Sequence, residues 1–182
     1  MKKYLQLYIK VFLYFSVGMG LALSVIPLFL TGNFLGISPF IWKASLMGGM
    51  AFSLIIVTIH VLRLQNLPTS DRANLSPNQS RTLILNAEAS RVFELCNSSV
   101  WTINAKIISE NNKNAGFLKA KTPLTFWSWG EIIEIKVSAI DEKTSQVLVT
   151  SSPSVKTTLV DYGKNTENVE KICWYLKNKL SA

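Results

Sequence analysis

A block of uncharged residues dominates the first third of the chain. No charged side chain occurs from Val11 to Trp42, and after Lys43 a second uncharged run continues from Ala44 to Leu62. A helix needs about 20 apolar residues to cross the hydrocarbon of a bilayer. The block is long enough for two, Val11–Leu30 and Ile41–Leu62, with Thr31-Gly-Asn-Phe-Leu-Gly-Ile-Ser-Pro39 as the irregular piece between them. Hydrocarbon offers no partner to an unpaired backbone amide, so both runs are expected to be helical.

Charge placement then orients this hairpin. The net charge of +8 is uneven: residues 1–75 carry Lys2, Lys3, Lys10, Lys43, Arg63 and Arg72 against Asp71 alone, whereas the remainder carries a mixed set of both signs. Basic residues flank the two ends of the hairpin, and only Lys43 lies near the connecting piece. Lys and Arg collect on the cytoplasmic side, so both termini are expected in the cytoplasm of a cell with a bacterial-type inner (plasma) membrane. The basicity therefore serves topology and anionic headgroups, and nucleic acid is not an expected partner. Lys2-Lys3 before an apolar run and Ala22-Leu-Ser24 imitate a cleaved leader, but the apolar run continues past that point and retention is expected.

Small residues recur every fourth position in both runs, as Ser16, Gly20, Ser24 and as Ser45, Gly49, Ser53. Such stripes let two helices approach closely. Pro27 is expected to loosen the first helix. His60, the sole histidine, lies about a turn from the end of the second run, where an imidazole is expected to reach headgroups or water.

Residues 65–80, rich in Ser, Asn and Pro, read as a linker between the hairpin of residues 1–64 and a cytoplasmic domain of residues 81–182. Arg81–Leu85 is a short apolar strand. A helix follows, with Asn86 as its expected N-cap and Ala89, Val92, Phe93, Cys96 and Val100 as its apolar stripe. Ala105–Glu110, Phe117–Thr122, Gly130–Ile140 and Val147–Ser152 alternate with period two, separated by turn residues, which describes an antiparallel sheet with one packed face. A last helix is expected to open at Asn165 or Thr166 and to bury Val169, Ile172, Cys173, Leu176 and Leu180. The fold class is thus a membrane α-hairpin of two transmembrane helices plus a small α+β domain of order β-α-β-β-β-β-α.

That order, with the helix opening Asn86-Ala-Glu-Ala-Ser-Arg-Val-Phe93 and a long last helix, resembles the helix-grip or START-like pattern and is similar to TATA-binding-protein-like modules. The helix-grip resemblance implies an apolar ligand between the sheet and the last helix. The chain is short of several strands of the usual sheet, and no family residue carries over.

Chemistry is sparse. No Ser–His–Asp set can be assembled, because the one histidine belongs to the apolar block. There is no glycine-rich phosphate loop. Glu131 with Glu134, and Glu167 with Glu170, fall where solvated faces are expected. Cys96 and Cys173 read as buried thiols, so no catalytic, cofactor-binding or metal residue is assigned. Arg81 and Arg91 are expected in surface salt bridges. Asp161-Tyr-Gly-Lys-Asn165 reads as a turn plus helix cap in preference to a site for a small polar ligand. Phe126-Trp-Ser-Trp-Gly130 is the most unusual piece of the tail. Extended, it places Trp127 and Trp129 on one face. We expect them in the core; if exposed, they are the candidate contact with a membrane interface or a protein partner. The expected activity is that of a non-enzymatic, membrane-anchored accessory whose α+β domain binds a protein, with an apolar-ligand module as the alternative and an enzyme as the remote one.

Overall fold

The structure is a computed structural model and describes residues 2–32, 38–67, 74–111, 116–125 and 128–181. The chain divides into two compact units, Met1–Leu62 and Arg63–Ala182.

The first unit is built from helices α1 (Lys2–Thr31) and α2 (Pro39–Gln65). At 1.5 Å per residue these are roughly 45 and 40 Å long, against about 30 Å of hydrocarbon. Both are long and apolar enough to cross a membrane. They pair antiparallel: the Tyr8 and Thr58 hydroxyls bond at 2.8 Å, and the Phe15 and Phe52 rings lie 3.8 Å apart. The buried face of α1 includes Ser16, Gly20 and Ser24, and that of α2 includes Ser45, Gly49 and Ser53, the two stripes expected. Contact there is close. A methyl group on Gly49 would lie 3.0 Å from the Ser16 backbone nitrogen, and one on Gly20 would meet the Trp42 ring. Within α2 the Ser45 hydroxyl donates to the Ile41 carbonyl at 2.7 Å, so this buried hydroxyl has an acceptor in the preceding turn.

His60 departs from expectation. It is only 1% exposed, because positions 53, 57, 60 and 64 share one helical face with the buried stripe. Helical phase, and not distance from the end of the apolar run, decides its environment.

The second unit is an α+β domain. Strand β1 (Gln79–Leu85) is followed by helix α3 (Ala89–Ser99) and a 3-10 turn (Val100–Ile103). Strands β2 (Lys106–Asn111), β3 (Phe117–Lys121), β4 (Glu131–Ala139) and β5 (Ser145–Pro153) come next, and helix α4 (Lys164–Ser181) closes the unit. The sheet is antiparallel throughout, in the order β1-β5-β4-β3-β2. The first and last strands of the chain are therefore neighbours, and β2 and β1 are the free edges. One face of the sheet carries Leu118, Ala120, Ile133, Ile135, Val147 and Val149, all fully buried. Val92, Phe93 and Cys96 of α3 and Val169, Ile172 and Leu176 of α4 pack into the same cluster. Arg81 pairs with Glu170 at 3.2 Å, linking β1 to α4.

Two helix starts differ from the sequence reading. Helix α3 opens after Glu88, and neither Asn86 nor Glu88 caps it with a side chain; Asn86 lies in a bend next to Ala87, whose carbonyl accepts the Ser145 hydroxyl at 2.7 Å. Helix α4 begins at Lys164, and Asn165 and Thr166 are buried in its first turn. Its cap comes from Asp161, whose carboxylate accepts from the amides of Gly163 at 3.1 Å and Asn165 at 2.9 Å. The carboxylate thereby satisfies donors that a helix start leaves open.

Candidate functional site

The segment between β3 and β4 is assembled on Glu131. The amide of Thr122 donates to the Glu131 carbonyl at 3.0 Å, and the amide of Glu131 donates to the Thr122 hydroxyl oxygen at 2.7 Å. The hydroxyls of Thr122 and Ser128 both donate to the Glu131 carboxylate. Its side chain is 1% exposed, which corrects the expectation of a solvated face. Residues 131, 133, 135 and 137 share strand parity, so Glu131 points to the same side as the core isoleucines. A carboxylate buried there needs donors, and the two hydroxyls supply them. Glu134, of opposite parity, behaves as expected and pairs with Lys119 at 2.8 Å.

Described residues on either side of this clasp are bonded as well. Gly130 has φ +86, and a Cβ there would approach the Thr122 carbonyl oxygen to 2.8 Å, so glycine is required by both conformation and space. Its amide donates to the Ser128 hydroxyl oxygen at 3.0 Å, and its carbonyl accepts from the Ser154 amide at 2.9 Å. Thr125 and Ser128 form a mutual backbone bridge, 2.8 Å in one direction and 3.3 Å in the other. From this base Leu124 and Trp129 stand out into solvent, 68% and 72% exposed. The core expectation therefore fails for Trp129. Glu131 closes the ladder with Thr122, and the left-handed Gly130 breaks strand alternation just after Trp129. Trp127 lies outside the described residues.

The turn Asp161-Tyr-Gly-Lys-Asn165 is a buried cap. Beyond its two backbone bonds, Asp161 accepts from the Asn165 amide group at 2.9 Å. Ser151 donates to the Asn165 side-chain oxygen at 2.6 Å, and Asn168 donates to Ser151 at 3.3 Å. A directed chain thus runs Asn168–Ser151–Asn165–Asp161 beneath the start of α4. Tyr162 and Gly163 both have positive φ, at 54 and 74, which turns the chain into the helix. Burial raises the Tyr162 phenol above its ordinary value. Asp161 and Asn165 are buried and engaged with each other and with the backbone, so the turn offers them to no small ligand.

Two exposed tryptophans escaped the sequence reading. Trp101 on the 3-10 turn and Trp174 on α4 are each 68% exposed, and the 3-10 turn packs against α4 and against β2. On the free edge, β2 adds exposed Ile107 and Ile108 and a register irregularity between Ile107 and Ser109. Trp174 was detectable, since it sits one residue off the stripe of Val169, Ile172, Cys173 and Leu176. On the opposite sheet face an open depression of about 520 Å³ is lined by residues that include Ile132, Ser154, Lys156 and the Lys119–Glu134 pair. Among the described residues, no group of three or more His, Cys, Asp or Glu side chains is placed to hold a metal ion. Cys96 and Cys173 are both free and buried. Desolvation pushes their thiols up to about 12 and about 11.

No protein-family model matches the chain, and no curated protein matches it. Among solved structures it compares with Ara h 8.0201 at a TM-score of 0.32 and 13% identity, over 56% of this chain and 97% of that one. It also compares with the di-domain ARO/CYC BexL from the BE-7585A biosynthetic pathway at a TM-score of 0.34 and 11% identity, over 77% of this chain and 57% of that one. Similarity at this level transfers neither site nor ligand.

Proposed function

We propose that this chain is a membrane-anchored accessory protein: α1 and α2 cross the bilayer as a hairpin, and the α+β unit is a shortened helix-grip module that binds a protein partner from the cytoplasmic side. The observation that carries the reading is the contrast between interior and surface. The space where a helix-grip module would hold an apolar ligand is occupied by fully buried side chains such as Leu118, Ile133, Ile135 and Leu176. Outside, Trp101, Trp174 and the edge isoleucines are exposed on elements that pack together. Exposed tryptophan surrounded by aliphatic surface is the usual anchor of a protein interface, and an unpaired strand edge is a template for added backbone. The filled interior weighs against the lipid or apolar-ligand module.

The test is site-specific photocrosslinking in native membranes, with the photoreactive residue at position 174 or 108. A discrete protein adduct that disappears in the Trp101→Ala variant is expected. Adducts confined to lipid, or the same adduct pattern from a probe at Lys143 in the β4–β5 turn, would sink the protein-partner reading. Protease accessibility of a tag after residue 182, from each side of the membrane, checks the orientation.

A further inference from the structure

We propose that the sheet carries, on the face away from its packed core, a site for a small polyol phosphate of the glycerol phosphate type. The site is the open depression of about 520 Å³. It is separate from the proposed protein interface, and does not depend on whether α1 and α2 cross a bilayer.

Side-chain size makes the depression. On the face opposite the core, Ser152 of β5 stands across from Ile132 of β4, and Thr150 from Glu134. Short hydroxyl side chains beside long ones leave a trough. It runs from Asn78, at the start of β1, over Ser152 and Ile132 to Lys119 on β3. That is three strand spacings, or about 14 Å, and the span and volume both suit a small molecule. Each rim is bonded within itself. The Gln79 amide group donates to the Ser76 carbonyl at 2.6 Å and the Asn78 backbone amide to the Ser76 hydroxyl at 3.2 Å. On the other rim the Thr158 amide and hydroxyl both donate to the Val155 carbonyl, at 3.1 and 2.7 Å.

The lining holds hydrogen-bonding capacity that the protein does not use. Among the described residues, the side chains of Asn78, Ser152 and Lys156 form no hydrogen bond or ion pair. Ser154 lines the same depression, and its buried hydroxyl has no partner among them either. A buried hydroxyl is costly unless it is bonded, and a ligand acceptor in the depression would bond it. Lys119 and Glu134 offset each other at 2.8 Å, so Lys156 leaves the lining with one net positive charge. An ammonium is a point charge and not a fork for a planar carboxylate. With hydroxyls around it to donate to further oxygens, it suits a phosphate. The second Glu134 oxygen and the Asn78 amide group can accept from the hydroxyls of a polyol, and Ile132 gives its carbon chain an apolar floor.

The same lining argues against other ligands. An apolar molecule would leave these polar groups unbonded. Among the described residues that line the depression none is aromatic, so a nucleobase has no ring to stack on. Glu134 is the one carboxylate among them, too few for a hard cation such as calcium or magnesium. A phosphate on a short polyol occurs free, as in glycerol 3-phosphate, and as a diester in lipid headgroups, and the open side of the depression admits either form.

The experiment uses the full chain in an uncharged detergent. The probes are glycerol 3-phosphate, glycerophosphoglycerol (the soluble headgroup of phosphatidylglycerol), inorganic phosphate and glycerol. Affinity is measured by calorimetry, and lysine acetylation rates by mass spectrometry. Either phosphorylated polyol should slow the labelling of Lys156 and leave the exposed Lys143 and Lys177 unchanged. Inorganic phosphate, which lacks the polyol bonds, should bind about tenfold more weakly, and glycerol not at all. Lys156→Gln should also weaken binding about tenfold, the loss of one charge-assisted bond, whereas Lys156→Arg should restore most of it. Lys156 is exposed, so equal unfolding midpoints of parent and variants are expected. Ser154→Ala should weaken binding without lowering the midpoint. Tighter binding of glycerol 3-phosphate assigns a free metabolite and tighter binding of glycerophosphoglycerol a lipid headgroup, and either supports the site. Binding of no probe, slowed labelling of all lysines alike, or full affinity in Lys156→Gln overturns it. Inorganic phosphate bound as tightly as its esters overturns the polyol assignment, and a lower midpoint for Ser154→Ala with unchanged affinity overturns the role of that hydroxyl.

Discussion

Thr122 and Glu131 are bonded three ways: amide to carbonyl, amide to hydroxyl, and hydroxyl to carboxylate. This clasp ends the β3–β4 ladder and fixes where the exposed loop begins. Replacing Glu131 by Ala removes the acceptor of two hydroxyls and opens a small void. The expected loss is about 2–4 kcal/mol, read as a lower unfolding midpoint of the full chain in detergent, with new proteolytic cleavage between residues 122 and 130. Glu131→Gln keeps the shape but weakens two charge-assisted bonds, and should lose about 1–2 kcal/mol. Equal stability of both variants and the parent would mean that the carboxylate holds nothing.

Asn165 joins Asp161 below and Ser151 beside it, so its amide is a donor and an acceptor in one buried position. Asn165→Ala should lose roughly 2–4 kcal/mol, since it strands Ser151 and uncaps half of Asp161. Asn165→Asp puts two carboxylates in contact, and should lose more than Asn165→Ala at pH 7. Thermal unfolding at pH 7 ranks the two variants; an Asp variant as stable as the Ala variant would contradict the network.

Much of the frame was legible. Alternation of Leu118 and Ala120 against Lys119, and of Ile133, Ile135 and Val137 against Glu134, placed the strands and their inner face. The four-residue spacing of Ser and Gly placed the contact between α1 and α2. Where the structure differs, tertiary partners override a local preference. Asn86 and Asn165 have cap chemistry, yet the backbone turn set by Tyr162 and Gly163 gives the α4 cap to Asp161. Glu131 has the parity of a core residue, but a carboxylate is assigned to water unless Thr122 and Ser128 are known to face it. Trp129 obeys strand alternation only if the strand extends that far, and Gly130 with positive φ shows that it does not. Trp101 carried no local signal, because no periodicity governs a single 3-10 turn.

Cys96 and Cys173 give the α+β unit a defined alkaline limit. Burial holds their thiols at about 12 and about 11, against an ordinary value of 9.0. An acid whose folded value is raised keeps its proton in the native state and loses it first in the unfolded chain. The stabilisation is therefore complete below pH 9 and is lost as pH rises from about 9 to about 12. Each thiol adds a slope of at most about 1.4 kcal/mol per pH unit. Unfolding of the parent and of C96A/C173A, measured from pH 8 to 11, should give a shallower decline for the double variant. A disulfide reagent should label neither thiol at pH 8 until denaturant is added; prompt labelling of the native protein would show that they are accessible.

Gly49 should be the least replaceable residue of the helical hairpin. A methyl there would lie 3.0 and 3.1 Å from the Ser16 backbone nitrogen and Cα, and a backbone cannot turn aside as a side chain can. Gly20 faces the rim of the Trp42 ring, a side chain and not a backbone. A methyl group on Gly18 would meet nothing within 4 Å, and there alanine gains about 1 kcal/mol of helix propensity without obstruction. Stability of the full chain in detergent should therefore rank Gly18→Ala at or above the parent, Gly20→Ala slightly below it, and Gly49→Ala lowest, by about 1–3 kcal/mol. Because the stripe is the close-approach surface between α1 and α2, Gly49→Ala should also raise the proteolytic sensitivity of the hairpin while Gly18→Ala does not. If Gly18 and Gly49 respond alike, the small-residue stripe is composition and not an interface.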